Sequence, residues 1–298
     1  MTKKNILHMF SPQENVSPFD VNMAIDAGYD IVIPYTNVNL SDVRGLVQDA
    51  IFSRSVSNAK KTGLFICGKD ASLALDMMET AKSAMVPPFE ISVFPDPAGS
   101  FTTAAAMVAC AEKTLRDKFQ TNLEGKKIII YGGKGIVGGI SAVMCTQFGS
   151  TCKIVGYDGV ENVGKKANEY KKRFDVDVIP VDGSTDELNS SYLSDADLIF
   201  CAARAGTQVL SLEQLKLAKK AMVLADVNAV PPAGLEGVGL KDNDDKHDCG
   251  ALSIGALASG DVKVKTQYRM FEKMCSADKP QYLNFDEALK TAREILGL

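Results

Sequence analysis

Lys126-Lys-Ile-Ile-Ile-Tyr-Gly-Gly-Lys-Gly-Ile-Val-Gly-Gly139 is a short apolar run that breaks into glycines and then turns apolar again. Lys126 to Tyr131 is β-branched and continuous, as a buried strand requires. Gly133, Gly135 and Gly138 fit G-x-G-x-x-G, and Ile136 to Phe148 carries apolar residues at helical spacing. A second apolar run, Lys153 to Tyr157, ends at Asp158, twenty residues beyond Gly138. The glycine pattern alone is weak. A strand, glycine turn, helix, second strand and acid in this order predict a dinucleotide site.

Each position has a physical role in that reading. Gly133 permits the tight turn, Gly135 lets the backbone approach a pyrophosphate, and Gly138 lets helix and strand pack closely. Lys134, Ile136 and Val137 complete the loop and the first helical turn, whose N–H groups and positive dipole end favour an anion. Asp158 accepts hydrogen bonds from the adenosine ribose hydroxyls and repels a 2′-phosphate, so NAD is the expected cofactor. NADP enters as a second cofactor where Tyr157, Lys165 or Lys166 accommodates the phosphate. The competing reading is a glycine-rich turn that binds nothing.

The 298 residues suffice for two domains, and 46% apolar with 23% charged residues is ordinary for a globular protein. A net charge of −4 without a basic stripe argues against nucleic acid. No run of ~18 apolar residues suggests a membrane span. The start, Met1 to Pro12, has too short an apolar run for a secretory signal, so a cytoplasmic setting is expected. Seven cysteines include no C-x-x-C pair, and an odd number suits a reducing compartment. No metal site is expected, because His8 and His247 are the only histidines and neither has a ligand-like spacing. Cys110 or Cys201 as a nucleophile lacks a visible basic partner.

Strand and helix patterns alternate along the chain, which argues for a doubly wound α/β protein. Strands are expected at Asn5–Phe10, Tyr29–Pro34, Gly63–Cys67 and Glu90–Phe94, with helices from Ser17-Pro18, over Leu40–Phe52, Ala71–Ala84 and Thr102–Phe119. After Asp158 come a helix over Val160–Phe174 and strands near Val176–Val181, Asp197–Ala202 and Ala221–Asp226. The acidic stretch Lys241 to Asp248 reads as a solvated loop closing that domain. Helices from Lys263 to Cys275 and over Phe285–Leu296 are expected to fold back on the first domain. The chain thus divides into an N-terminal α/β substrate domain, residues 1–122 completed by C-terminal helices in 262–298, and a Rossmann-type parallel-sheet domain, 123–261.

In such sheets ligands lie beyond the carboxyl ends of the strands. The residues there are Tyr35, the cluster Asp96, Ser100, Thr102 and Thr103, the run Ala202-Ala203-Arg204, and Asp226 with Asn228. A helix cap by Ser100 or Thr102 explains one hydroxyl of the cluster without function. Alcohol dehydrogenation also needs a base, and no histidine falls at a strand end. Lys263 and Lys265 open the penultimate helix and either face the cleft or are solvated. A reaction needing only hydride transfer suits this chain better.

These motifs resemble those of the NAD(P)-dependent methylenetetrahydromethanopterin dehydrogenases. The resemblance runs through Ser17-Pro-Phe-Asp20, Tyr35-Thr-Asn-Val38, Asp96-Pro-Ala-Gly-Ser-Phe-Thr-Thr-Ala-Ala-Ala106, the glycine turn, Asp226-Val-Asn-Ala-Val-Pro-Pro232, Gly250-Ala-Leu-Ser-Ile-Gly255 and Lys263-Val-Lys265. It implies oxidation of the methylene carrier to its methenyl form with hydride passing to the nicotinamide, in the one-carbon metabolism of formaldehyde oxidation. Asp20 and Lys263 are then the residues nearest the chemistry, with Lys263 orienting the pterin rather than acting as a base. Tyr35, Asp96, Ser100, Thr102 and Thr103 fall on the pterin side; Ala202, Ala203, Asp226 and Asn228 fall on the nicotinamide side. The resemblance also implies a homo-oligomer, commonly a trimer. NADP-specific members carry a basic residue near the end of the second nucleotide-domain strand, where this chain has Tyr157-Asp158.

Two other readings compete. A methylenetetrahydrofolate dehydrogenase keeps the chemistry and changes the carrier; the Tyr-x-x-x-Lys helix of the folate cyclohydrolases has no counterpart after Tyr35. A dinucleotide-binding protein without turnover is the second.

Overall fold

The computed structural model describes residues 4–298, so the start of the chain, read above for a secretory signal, lies partly outside the described residues. The chain forms two compact units. The first holds the residues up to Thr102 together with Val264–Thr291; the second holds Thr103–Lys263 and Ala292–Leu298. The limits expected from composition, 122/123 and 261/262, differ chiefly in the helix after Ser100, which has no internal breaker and goes almost whole to the second unit.

The first unit runs β1 (Ile6–Phe10), α1 (Pro18–Asp26), β2 (Ile31–Tyr35), α2 (Val43–Phe52), α3 (Val56–Ala59), β3 (Thr62–Ile66), α4 (Ala71–Ala84) and β4 (Ser92–Pro95). All four strands are parallel, in the order β2-β1-β3-β4. α1 starts with Pro18 in its first turn and Asp20 behind it, though Ser17 makes no side-chain cap. α4 is capped by Asp70, which accepts from the Leu73 N–H at 2.8 Å. One face of the sheet buries Phe10, Leu64, Ile66 and Val93 against Val47, Ile51 and Met77 of α2 and α4. On β3 and β4, Phe65 and Phe94 meet Phe271, with ring centroids 5.0 and 5.3 Å away.

The long helix α5 (Ser100–Phe119) leads to β5 (Lys127–Tyr131), α6 (Ile136–Gln147), β6 (Thr151–Gly156), α7 (Val160–Phe174) and β7 (Ile179–Asp182). There follow α8 (Asp186–Ser191), β8 (Leu198–Cys201), α9 (Leu212–Leu215), β9 (Val223–Asp226), β10 (Asn243–Lys246), β11 (Leu252–Ile254), α10 (Ala256–Ser276) and α11 (Phe285–Leu296). The sheet order is β10-β11-β9-β8-β5-β6-β7, parallel except for β10 against β11. Without β10 this is the doubly wound order whose reversal falls between β5 and β8.

Three sequence expectations change. The acidic stretch 241–248 is not simply a solvated loop: its middle pairs as β10, a charged edge strand of the kind that discourages further pairing. The domain is not closed at Asp248, since β11 adds another parallel strand. α10 begins at Ala256, so Lys263 and Lys265 lie inside it rather than opening it; Ala256-Leu-Ala-Ser259 is helix-favouring and Gly260 does not interrupt it. Phe271 places the middle of α10 on the first unit's sheet. The last turns of α11 belong to the second unit, where Arg293 grips Glu112 through two bonds of 2.7 and 3.0 Å.

Candidate nucleotide and substrate sites

The left-handed residue of the glycine turn is Gly132, at φ +81°, not Gly133. A Cβ on Gly132 would collide with the Ala202 carbonyl at the end of β8. Gly133 instead presses on Ile154 of β6. A Cβ at Gly138 would lie 2.6 Å from the Gly132 oxygen, so the first turn of α6 sits directly on the loop. Gly135 caps α6, and its N–H donates to the Gly132 carbonyl at 2.9 Å. The N–H groups of Ile136, Val137 and Gly138 in that first turn lack acceptors within the helix, the arrangement that receives a pyrophosphate.

Above this turn lies a cavity of about 510 Å³, at the strand-order reversal. Its walls bring together Gly132, Lys134 and Gly135 after β5, Val155 from β6 and Tyr157 just after it, Gly183 after β7, and Ala202, Ala203 and Arg204 after β8. Asn189 of α8 also lines it, and among the described residues its Oδ1 is buried with no hydrogen-bond partner. A glycine cradle that a Cβ would fill and an orphaned buried acceptor fit an adenine dinucleotide. No sequence motif marks Gly132, Asn189 or Thr207, the last of which lines the same cavity. The doubled glycine was the available sign for Gly132; Asn189 stands on a short polar helix.

Asp158 lies just beyond β6, and its Oδ2 accepts from Lys134 Nζ at 2.7 Å and from Asn162 Nδ2 at 3.0 Å. The Lys134 ammonium, followed by the Asn162 amide, holds the Asp158 carboxyl below the usual carboxylate range. The same ammonium stands 4.5 Å from the centre of the Tyr157 ring. Lys165 and Lys166, expected to accommodate a phosphate, pair with Glu161 and Glu169 at 2.9 and 2.8 Å.

Asp226 and Asn228 do not line that cavity; they tie loops together. Asp226 accepts from the Asn228 and Leu235 N–H groups, both at 2.9 Å, and its burial raises the carboxyl above the ordinary range. Asn228 accepts from the Gly206 and Val230 amides and donates to the Pro232 carbonyl at 2.9 Å. These bonds set the shape of the loops after β8 and β9.

In the first unit, the carboxyl edge of the sheet carries Tyr35, Cys67 and Asp96 at or just beyond three strand ends. Asp96 is fully buried. It accepts from the Phe101 and Thr102 N–H groups at 2.8 and 3.3 Å and from the Thr102 hydroxyl at 2.7 Å. The cap of α5 is therefore Asp96, rather than Ser100 or Thr102, and it takes in Thr102. Ser100 is buried and Thr103 half-buried in the same first turn. Asp20 is buried on α1 and accepts from Gln267 Nε2 at 2.7 Å. Burial, then the charges of Asp20 and Asp96, push the Cys67 thiol up. The Tyr35 hydroxyl lies 3.1 Å from His8 Nδ1. Lys263 is half-buried, in the second unit's share of α10. Burial likewise raises the thiols of Cys201 and of Cys110, the latter to about 12, against either acting as a nucleophile.

The sheet order, the glycine turn under the helix and the acid after the second strand define the second unit as a dinucleotide-binding domain of the dehydrogenase class. Solved structures agree on the fold: quinate dehydrogenase from Corynebacterium glutamicum in complex with NAD superposes with TM-score 0.56 at 14% identity, covering 99% of each chain. Shikimate 5-dehydrogenase from Listeria monocytogenes gives 0.53 at 12% identity, over 98% of this chain and 96% of that one. A family model described as methylene-tetrahydromethanopterin dehydrogenase, N-terminal, matches residues 18–98. Over 295 residues, 99% of each chain, the sequence is 50% identical to the NAD(P)-dependent methylenetetrahydromethanopterin dehydrogenase of Methylorubrum extorquens. The chain belongs to the methylenetetrahydromethanopterin dehydrogenase family.

Proposed function

We propose that this protein oxidises methylenetetrahydromethanopterin to the methenyl form by direct hydride transfer to NAD or NADP. The full-length match to an enzyme of that name carries the reading, and the relatives found give no support to a folate carrier or to a binder without turnover. Bound NAD(P) supplies the hydride acceptor. The methylene carbon lies between two nitrogens, so hydride loss leaves a resonance-stabilised amidinium and no proton need be removed. The histidines agree: His8 faces Tyr35, and His247 is engaged with the Glu236 carbonyl at 2.8 Å.

In this reading Gly132 to Gly138 hold the pyrophosphate, Asp158 holds the ribose, and Ala202 and Ala203 flank the nicotinamide. Asp226 and Asn228 shape the loops beside it. Asp20 and Asp96 present carboxylates where positive charge develops, with Tyr35, Ser100, Thr102 and Thr103 around the pterin and Lys263 orienting it. Support comes from the burial of both carboxylates in the first unit, Asp96 just beyond the end of β4 and Asp20 on α1. Steady-state assays with both carriers test the proposal; preference for methylenetetrahydrofolate would overturn the substrate.

The protein is proposed to act as a cytoplasmic homo-oligomer, a trimer by resemblance. The edge strand β2, with Ile31 and Ile33 exposed, supports self-association. Seven unpaired cysteines support a reducing compartment, and among the described residues no helix is long and apolar enough to cross a membrane. Light scattering of the purified protein reads the subunit count.

A further inference from the structure

We infer that Lys134, carried by the glycine turn, is the residue that admits a 2′-phosphate, and that Lys134 and Asp158 together read the adenosine ribose. A bare carboxylate after the second strand would exclude NADP by repulsion. Here the carboxylate is not bare. Lys134 Nζ sits 2.7 Å from Asp158 Oδ2, Asn162 Nδ2 takes the same oxygen at 3.0 Å, and the Tyr157 ring backs the ammonium at 4.5 Å. Lys134 and Tyr157 both line the cavity of the glycine turn; Asp158 does not line it itself but follows Tyr157 in the chain and meets the wall through Lys134.

Two neighbouring lysines are paired on their own helix. Lys165 pairs with Glu161 and Lys166 with Glu169, each on α7 itself. The cations that line the cavity are Lys134, beside Tyr157, and Arg204, after β8; of the two, Lys134 is the one bonded to Asp158. With a plain ribose, Asp158 accepts the hydroxyls while Lys134 neutralises it. With a 2′-phosphate, the ammonium turns to the phosphate and Asp158 keeps the Asn162 amide. A lysine suits this exchange, being a compact charge on a flexible stem. The arrangement explains how one site takes both cofactors without a basic residue after β6.

The inference rests on the nucleotide site proposed above, and calorimetry with two unreactive fragments separates the two claims. The probes are 5′-ADP and 2′,5′-ADP. Wild type should bind both. Lys134→Met should lose about tenfold or more in affinity for 2′,5′-ADP while 5′-ADP changes less than about threefold, the effect of removing one charge-assisted bond to phosphate. Lys134→Arg should retain 2′,5′-ADP, and Lys165→Met should leave both unchanged. Asp158→Asn should strengthen 2′,5′-ADP and weaken 5′-ADP. Equal losses for both probes in Lys134→Met would make the lysine a ligand of the 5′-phosphate that the two share and overturn the inference, as would no loss at all. Failure of wild type to bind either fragment would overturn the nucleotide site itself.

Discussion

Gln267 of α10 donates its side-chain amide to the Asp20 carboxylate of α1 at 2.7 Å, and both residues are buried. The bond joins a helix near the end of the chain to one near its start, so the first unit is complete only when the C-terminal segment has returned. It also fixes the orientation of a carboxylate proposed to face a developing cation. Gln267→Leu should therefore cost about 1.5–3 kcal/mol of stability, the range for a hydrogen bond to a charged group, measured as a shift in denaturation midpoint.

Asp20→Asn keeps the shape and removes the charge. Turnover of methylenetetrahydromethanopterin should fall by about tenfold or more, while NADH affinity stays within about twofold, if the carboxylate stabilises the cation. Stopped-flow turnover and fluorescence titration of NADH give the two numbers. A loss confined to NADH binding removes Asp20 from the pterin site.

Asp96 carries a structural duty beside that proposed role, because it is a buried cap. Asp96→Ala leaves the Phe101 and Thr102 donors without their acceptor and should destabilise the protein by about 1–3 kcal/mol. Thr102→Ser keeps the hydroxyl bond and should cost far less. Thermal unfolding compares the two.

Gly132→Ala places a side chain at φ +81° and against the Ala202 carbonyl. The left-handed backbone alone costs about 1–2 kcal/mol, and the overlap forces β5 and β8 apart at their ends. Nucleotide binding should be lost or weakened by more than about tenfold, read by calorimetry with 5′-ADP.

The pH dependence follows from Asp158. Its carboxyl is held low by Lys134 and Asn162, so its ionised form persists through and below the ordinary carboxylate range. Its contribution to NAD binding is present at all higher pH and is lost only as pH falls below that range. NAD affinity should be flat between about pH 5 and 8, whereas NADP affinity should rise through the second phosphate ionisation near about 6. Titrations of both cofactors across that window check the contrast.

Much of the fold was legible because its strongest elements are periodic and cleanly punctuated. α4, α7 and α11 occupy the residues expected, each with an unbroken helical pattern between breakers. The carboxyl-edge rule also pointed to Ala202, Ala203 and Asp96. Illegible parts have physical reasons. β10 is Asn-Asp-Asp-Lys, an edge strand with no apolar alternation to betray it. The glycine pattern selects Gly133, Gly135 and Gly138 and passes over Gly132, whose need shows only in its left-handed backbone and the approach of the Ala202 carbonyl. Asn189 reaches the cavity from a polar helix with no motif. Asp226 and Asn228 sit at a strand end as expected, yet spend their bonds on loops, which no spacing reveals.

The central claim is that hydride leaves the one-carbon carrier and arrives on the cofactor without visiting water. Methylenetetrahydromethanopterin deuterated at the methylene carbon, incubated with the enzyme and NAD or NADP in ordinary water, measures this directly by mass spectrometry. The account predicts deuterium in the reduced nicotinamide, in step with formation of the methenyl product. Deuterium released to solvent, or carrier oxidised with no reduced nicotinamide formed, would contradict it.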